Sequence, residues 1–292
     1  MINLGRLDID AQIKDIQDVS IKYSTLKKHL NLYTIVLQAR RKIEEMPNKG
    51  TNVNLSDYQF IKNLQDKALS LKQSISYFFN STIFDLKALV AMCSHLIEEL
   101  IKKDIRNKDQ FERFLKLFQG GAIDLHNLIN AGLKNDVDFF EKYGEKLGIN
   151  WHVLLFISDS LTQPFLEEIA RKVNASFLEN WWKGMCPVCG KPPIIAKIRF
   201  ETKKRYLTCM LCGAEYLVDL FFCPYCENND PYTLKFLALD EKPELRIDYC
   251  EKCKHYVKVI DENKLKAPIP KGLEDILTLG LDNIAKESGL IR

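Results

Sequence analysis

Four Cys-x-x-Cys pairs constrain this chain more than any other feature of its sequence: Cys186/Cys189, Cys209/Cys212, Cys223/Cys226 and Cys250/Cys253. Two thiolates two residues apart can grip one metal ion from a single tight turn, and two such pairs complete a tetrahedral site. Four pairs therefore predict two sulfur-only sites with these eight cysteines as metal ligands. A gap of 19 residues lies between Cys189 and Cys209 and one of 23 between Cys226 and Cys250. Each gap lets a strand leave one knuckle and return to the next, which is the layout of a zinc ribbon. Cys-Pro-Val-Cys at 186–189 and Cys-Pro-Tyr-Cys at 223–226 each open a module that a second pair closes. The segment reads as a duplicated ribbon, a layout that favours ligands paired in chain order over pairs that cross between modules.

Zinc, one ion per site, is the expected metal because it favours tetrahedral thiolate. Iron fits the same four-sulfur tetrahedron, as in rubredoxin, and spacing does not separate the two. A structural zinc supplies roughly 10–16 kcal/mol to a small module, more than the few kcal/mol its thin apolar core can give. Four thiolates also leave a net negative charge. Lys183, Lys191, Lys203, Lys204 and Arg205 are expected to offset it at the first site, and Lys252, Lys254 and Lys258 at the second. No open coordination position is suggested, so a hydrolytic centre is not expected and the chain does not read as an enzyme. His255 could replace a cysteine, but the cysteine count already closes both sites. Cys223-Pro224-Tyr225-Cys226 matches the glutaredoxin tetrapeptide, yet Glu227-Asn228-Asn229-Asp230-Pro231 after it reads as a turn rather than the helix that thiol exchange uses.

Before the cysteines, residues 1–180 read as an all-helical domain. Ile83, Leu86, Val90, Cys93, Ile97 and Leu100 step by three and four and share a helix stripe. Phe111, Phe114, Leu115 and Phe118 repeat the pattern until Gly120-Gly121, and 123–133 gives another apolar helix. Ser56 with Gln59 resembles a capping box after the turn at 46–50. Pro164 predicts a break inside 155–170. Cys93 and His95 point to different sides of their helix and belong to the core rather than to a metal site. Strands are expected at 194–200, 205–208, 216–222, 233–239 and 256–260, with turns at Pro231 and Pro243. Helical spacing returns at 273–291. The fold class is thus α+β and multidomain: 1–180 helical, 181–222 and 223–264 two rubredoxin-like or zinc-ribbon modules, and 265–292 a helical tail packing on the rest.

The charged residues nearly balance, at +3 overall, and no basic stripe with interleaved aromatics appears, which argues against nucleic acid. Arg6, Asp8 and Asp10 interrupt any secretory signal, and Asp85, Lys87, Glu98 and Glu99 break the most apolar stretch, so membrane insertion is not expected. Paired cysteines predict a reducing, cytoplasmic setting.

The entry Trp181-x-x-Gly184-x-Cys186-Pro187-x-Cys189-Gly190 leads to Arg205-Tyr206-Leu207-x-Cys209-x-x-Cys212. Cys223-Pro224-Tyr225-Cys226 and Cys250-x-x-Cys253-x-x-Tyr256-x-Lys258 follow, and Glu274-Asp275-Ile276-x-Thr278-Leu279-x-Leu281-Asp282, Gly289 and Arg292 close the set. Together these residues resemble the FdhE family of formate dehydrogenase accessory proteins from about Trp181 onward. The helical part matches more loosely, mainly at Gln163-Pro164-Phe165-Leu166. Tyr216 and Thr208 depart from the family pattern, where Trp and His are common. The resemblance implies a cytoplasmic maturation factor that binds the catalytic subunit of a molybdenum or tungsten formate dehydrogenase and has no reaction of its own. Self-association is a further expectation. The alternatives are an iron–thiolate redox sensor or electron carrier, and a nucleic-acid-binding ribbon. Glu274, Asp275 and Asp282 read as a solvated face.

Overall fold

The computed structural model describes residues 9–44, 51–55, 57–103 and 107–292. Helices precede and follow a single sheet. They are α1 (Ile9–Lys22), α2 (Lys27–Glu44), α3 (Tyr58–Leu71), α4 (Leu86–Lys102), α5 (Lys108–Gln119), α6 (Leu125–Lys134), α7 (Val137–Leu147), α8 (Trp151–Lys172), α9 (Ala175–Glu179), α10 (Glu274–Leu277) and α11 (Leu279–Glu287). The strands are β1 (Ile195–Ile198), β2 (Arg205–Thr208), β3 (Glu215–Val218), β4 (Leu234–Ala238), β5 (Leu245–Cys250) and β6 (Tyr256–Asp261). The chain divides into two compact units, one containing Asp8–Tyr58 and Ser76–Glu168, the other Gln59–Ile75 and Ile169–Arg292.

The first of these units is helical, and its helix starts are written in the sequence. Asp85 caps α4 by accepting from the backbone N–H of Lys87 and Ala88, and Asp124 caps α6 through His126 and Asn127. Each such cap contributes about 1 kcal/mol. Asn135 and Gly148 end α6 and α7 in the left-handed conformation that stops a helix. The buried face of α4 is Leu89, Met92, Cys93, Leu96, Ile97 and Leu100. It lies one step round from the expected stripe, leaving Leu86 and Val90 exposed. Cys93 is core, and burial pushes its thiol up to about 12. The capping role expected of Ser56 falls outside the described residues.

Pro164 does not break its helix, contrary to expectation: α8 runs through it. An interior proline costs about 3 kcal/mol. Leu154, Ile157, Leu161, Phe165 and Leu166 are all buried along α8, at roughly 1.5–3 kcal/mol each, which is enough to hold the helix together. The hydroxyls before and beside the proline bond back along the helix, Ser160 Oγ donating to Phe156 O at 2.8 Å and Thr162 Oγ1 to Ser158 O at 3.0 Å.

The other unit holds the sheet, ordered β3-β2-β1-β6-β5-β4. Each half is a three-stranded antiparallel ribbon, and the halves join where β1 and β6 pair in parallel, Ile195 opposite Lys258 through Ile198 opposite Asp261. The two expected modules are therefore fused into one sheet. Strand β5, absent from the sequence expectation, alternates buried Leu245 and Ile247 with half-buried Arg246 and Asp248 just after the Pro243 turn. The tail packs on this half: Leu281, Ala285 and Leu290 join Ile195, Leu245, Ile247, Tyr256 and Ile260 in one apolar cluster.

Charge fixes the tail across the parallel seam. Lys197 on β1 donates to Glu215 at 2.9 Å and to Glu274 at 2.7 Å, and Arg199 also pairs with Glu215. Lys258 on β6, fully buried, donates to Asp275 Oδ1 at 2.5 Å and Asp282 Oδ2 at 2.8 Å. Tyr256 Oη donates to Asp282 Oδ1 at 2.6 Å, and Arg292 reaches Asp275 at 2.7 Å. Glu274, Asp275 and Asp282 are thus buried or half-buried ion-pair partners, not a solvated face. Lys197 lies 77 residues from Glu274 in sequence, and Lys258 lies 17 from Asp275 and 24 from Asp282.

Candidate metal centres

All four knuckles repeat one backbone pattern. The first cysteine's N–H donates to the carbonyl five residues on: Cys186 to Lys191, Cys209 to Ala214, Cys223 to Asn228 and Cys250 to His255, at 2.8–3.0 Å. Its carbonyl accepts from the N–H four residues on, that of Gly190, Gly213, Glu227 or Lys254, at 2.8–2.9 Å. The residue at this fourth position must turn left-handed, with φ of 70°, 71°, 57° and 62° in that order. Glycine adopts this conformation freely, whereas glutamate and lysine bring Cβ against the following carbonyl. The ribbon of 186–212 thus uses the permissive residue twice, and the ribbon of 223–253 twice uses one that is strained.

These turns aim the cysteine sulfurs into two groups, Cys186, Cys189, Cys209 and Cys212 in one and Cys223, Cys226, Cys250 and Cys253 in the other. Within each group all four Sγ atoms lie within 4.8 Å of one another. Across the first, Cys186 and Cys212 are 3.5 Å apart and Cys189 and Cys209 3.3 Å. Across the second, Cys223 and Cys253 are 3.6 Å apart and Cys226 and Cys250 3.7 Å. A disulfide needs about 2.05 Å. A tetrahedral ion with metal–sulfur bonds of about 2.3 Å sets its sulfurs about 3.8 Å apart. The donor set, its number and its spacing fit a tetrathiolate ion, and the sulfurs are grouped by pairs in chain order.

The surroundings of the two groups differ. The first is sealed, with no cysteine more than 2% exposed. Tyr216 Oη donates to Gly184 O at 2.6 Å and Trp181 Nε1 to Met185 O at 2.7 Å, which fix the approach to Cys186. Ile75 N–H donates to Pro187 O at 2.9 Å inside that knuckle. In the second group Cys226 is exposed and Cys253 half-buried. Burial pushes the Cys189 and Cys212 thiols well up, whereas hydrogen bonds from Cys186, Cys189 and Cys212 hold Cys209 well below the ordinary range. Burial also raises Cys223. Cys250 is drawn down to about 7, burial being outweighed by the N–H groups of Cys253 and Lys252. Thiols enclosed together hold their protons unequally, and bringing all four to thiolate takes a cation among them.

Two residues expected to offset thiolate charge have other partners. Lys258 faces the tail carboxylates, as described above. Arg205, on the first ribbon, donates to Phe222 O at 2.9 Å beside Cys223 and lies 3.6 Å from Asp248. It supports the second knuckle pair rather than the first. His255 stands outside the sulfur group, donating from Nδ1 to Cys253 O at 3.1 Å and stacking on Tyr225 at 4.3 Å. No helix follows Cys226, so the dipole that activates a glutaredoxin thiol has no counterpart at this turn.

Sequence reasoning missed Gly184 as a contact residue. A Cβ there would lie 1.9 Å from Pro224 O, so the entry to one ribbon abuts the opening knuckle of the other. The Trp181-x-x-Gly184 spacing carried that signal.

Fold and sulfur geometry together define a class: a helical protein bearing a fused pair of four-cysteine ribbons. Residues 185–219 match the family model described as FdhE, central domain. The chain is 35% identical over 149 residues to the "Protein FdhE homolog" of Aquifex aeolicus, covering 50% of this chain and 52% of that one. To the homolog of Pseudomonas aeruginosa it is 32% identical over 130 residues (41% and 40%), and to Protein FdhE of Escherichia coli K12 31% identical over 127 (42% and 40%). The matched stretch thus spans about half the length of these relatives, or less. The crystal structure of the FdhE protein from Pseudomonas aeruginosa shares the fold, with a TM-score of 0.63 at 19% identity over 96% of this chain and 92% of that one. The chain is thus similar to FdhE proteins in its cysteine-bearing part and shares the fold of one of them.

Proposed function

We propose that this protein is a formate dehydrogenase accessory protein: it holds two ions in its paired four-sulfur sites and uses the stiffened double ribbon to bind the catalytic subunit of a molybdenum or tungsten formate dehydrogenase during maturation in the cytoplasm. The observation that carries the reading is the convergence of eight cysteine sulfurs into two tetrahedra-sized groups on one sheet. Similarity to FdhE proteins supports the accessory role. Cys186, Cys189, Cys209 and Cys212 would hold one ion, and Cys223, Cys226, Cys250 and Cys253 the other, zinc before iron. The ions would supply cohesion, since each four-sulfur set fills a tetrahedral shell and keeps no position for substrate. Among the described residues no helix is long and apolar enough to cross a membrane.

Metal analysis and co-purification test the proposal. Two tightly held ions per chain are expected, together with retention of an immature formate dehydrogenase catalytic subunit on the immobilised protein. Failure to retain any form of that subunit discards the partner. Fewer than two ions discards the platform.

A further inference from the structure

The two sulfur groups repeat one backbone pattern yet differ in two independent respects, access and strain. The first is walled off by Tyr216, Trp181 and Val188, all buried, and turns on Gly190 and Gly213. The second leaves Cys226 exposed and Cys253 half-buried, and turns on Glu227 and Lys254, both in the left-handed region where a side chain is disfavoured. Exposure lets an incoming donor reach the metal–sulfur bond without opening the fold. Strain in both knuckles is relieved when they let go, so it subtracts from the affinity of any ion whose binding holds them closed.

We propose that the second group, Cys223, Cys226, Cys250 and Cys253, is an exchangeable metal site, open to small thiophilic donors and chelators, while the first is a permanent structural one. This rests on the metal-binding reading above. Cys226 is the ligand a solvent donor would reach first: its bond to a bound ion would be replaced by the donor's, and the released thiolate would take up a proton from water. Cys253 is the next ligand within reach, and the buried Cys223 and Cys250 follow. Arg205 gives the route a stop, because its hydrogen bond to Phe222 O and its proximity to Asp248 tie the emptied knuckles to the first ribbon. The sheet then keeps its shape while one ion is absent.

The test is release kinetics on the 292-residue chain loaded with zinc, using excess 4-(2-pyridylazo)resorcinol as chelator and its colour change as the readout. Two equivalents are expected in two phases, the first at least roughly tenfold faster than the second, in line with the strain at two non-glycine turns. Glu227→Gly with Lys254→Gly should slow the fast phase roughly tenfold and leave the slow phase unchanged. A second measurement needs no variant. Brief treatment of the loaded protein with N-ethylmaleimide, read by mass spectrometry, should label Cys226 and Cys253 before any of Cys186, Cys189, Cys209 and Cys212. Two equivalents leaving in a single phase, or first labelling in the first group, overturns the inference and leaves the double-ribbon platform standing. A chain that retains no zinc overturns both.

Discussion

At the scale of single residues, Lys258 shows how the ribbon chemistry and the tail depend on each other. Its ammonium is fully buried between Asp275 and Asp282, so removing it takes the buried cation from two carboxylates and leaves them Arg292 and Tyr256. Lys258→Ala should cost about 3 kcal/mol, read as a fall in denaturant midpoint. Lys264→Ala, which loses an exposed pair with Asp261, should cost under about 1 kcal/mol. Equal losses would remove the special place given to Lys258. The same network carries a pH dependence. Burial pushes the Asp275 carboxyl up, but the charges of Lys258 and Arg292 outweigh it and hold it below the ordinary range. A carboxylate depressed on folding stabilises fully above its unfolded value, about 3.9, and loses that contribution as pH falls through the lower folded one. Protection factors for amide exchange in α10 and α11, taken against the intrinsic rate at each pH, should therefore fall in acid, and Asp275→Asn should remove the part of that fall due to Asp275.

Among elements, α8 and the sheet mark what a sequence discloses about itself. The knuckles were legible because chelation demands a fixed local spacing, and β2 was readable from its own residues, Arg205–Thr208. The carboxylates of α10 were misread because their meaning lies in Lys197 and Lys258 on separate strands, which no local pattern connects. Strand β5 escaped notice because Arg246 and Asp248 dilute its apolar alternation, and a paired strand on each side supplies what propensity does not. Pro164 misled for the opposite reason: a strong local signal was overridden by the apolar side chains packed along both halves of α8. That override can be measured. Pro164→Ala returns an N–H donor to the helix at a site already shaped as one. It should raise stability by about 1–3 kcal/mol with unchanged helix content by circular dichroism. A loss of stability would mean that the ring's own packing outweighs the missing bond.

For the whole molecule, cohesion comes from two sources. The helical unit has its own apolar interior, with Leu30, Leu37, Met92, Leu96, Phe114 and Phe140 among its fully buried residues. On the metal-binding reading proposed above, the ribbon unit would add sulfur-bound ions to its own apolar cluster, and a structural ion of this kind is worth roughly 10–16 kcal/mol. Exhaustive chelation under reducing conditions should therefore erase amide protection across β1 to β6 while protection in α4, α6 and α7 survives. Protection surviving in the strands would show that side-chain packing alone folds them.

The parallel pairing of β1 with β6 has a consequence for dissecting the protein. Every other strand neighbour in the sheet comes from the same ribbon, so among the described strands this seam is the edge at which the backbone of each half completes the other. Cutting the polypeptide after residue 222 would leave Ile195–Ile198 as a bare rim of unanswered amides and carbonyls, with Lys197 deprived of Glu274. Such a piece, even with its ion in place, should seek a substitute strand from its twin and accumulate as sticky multimers rather than as a tidy half-protein.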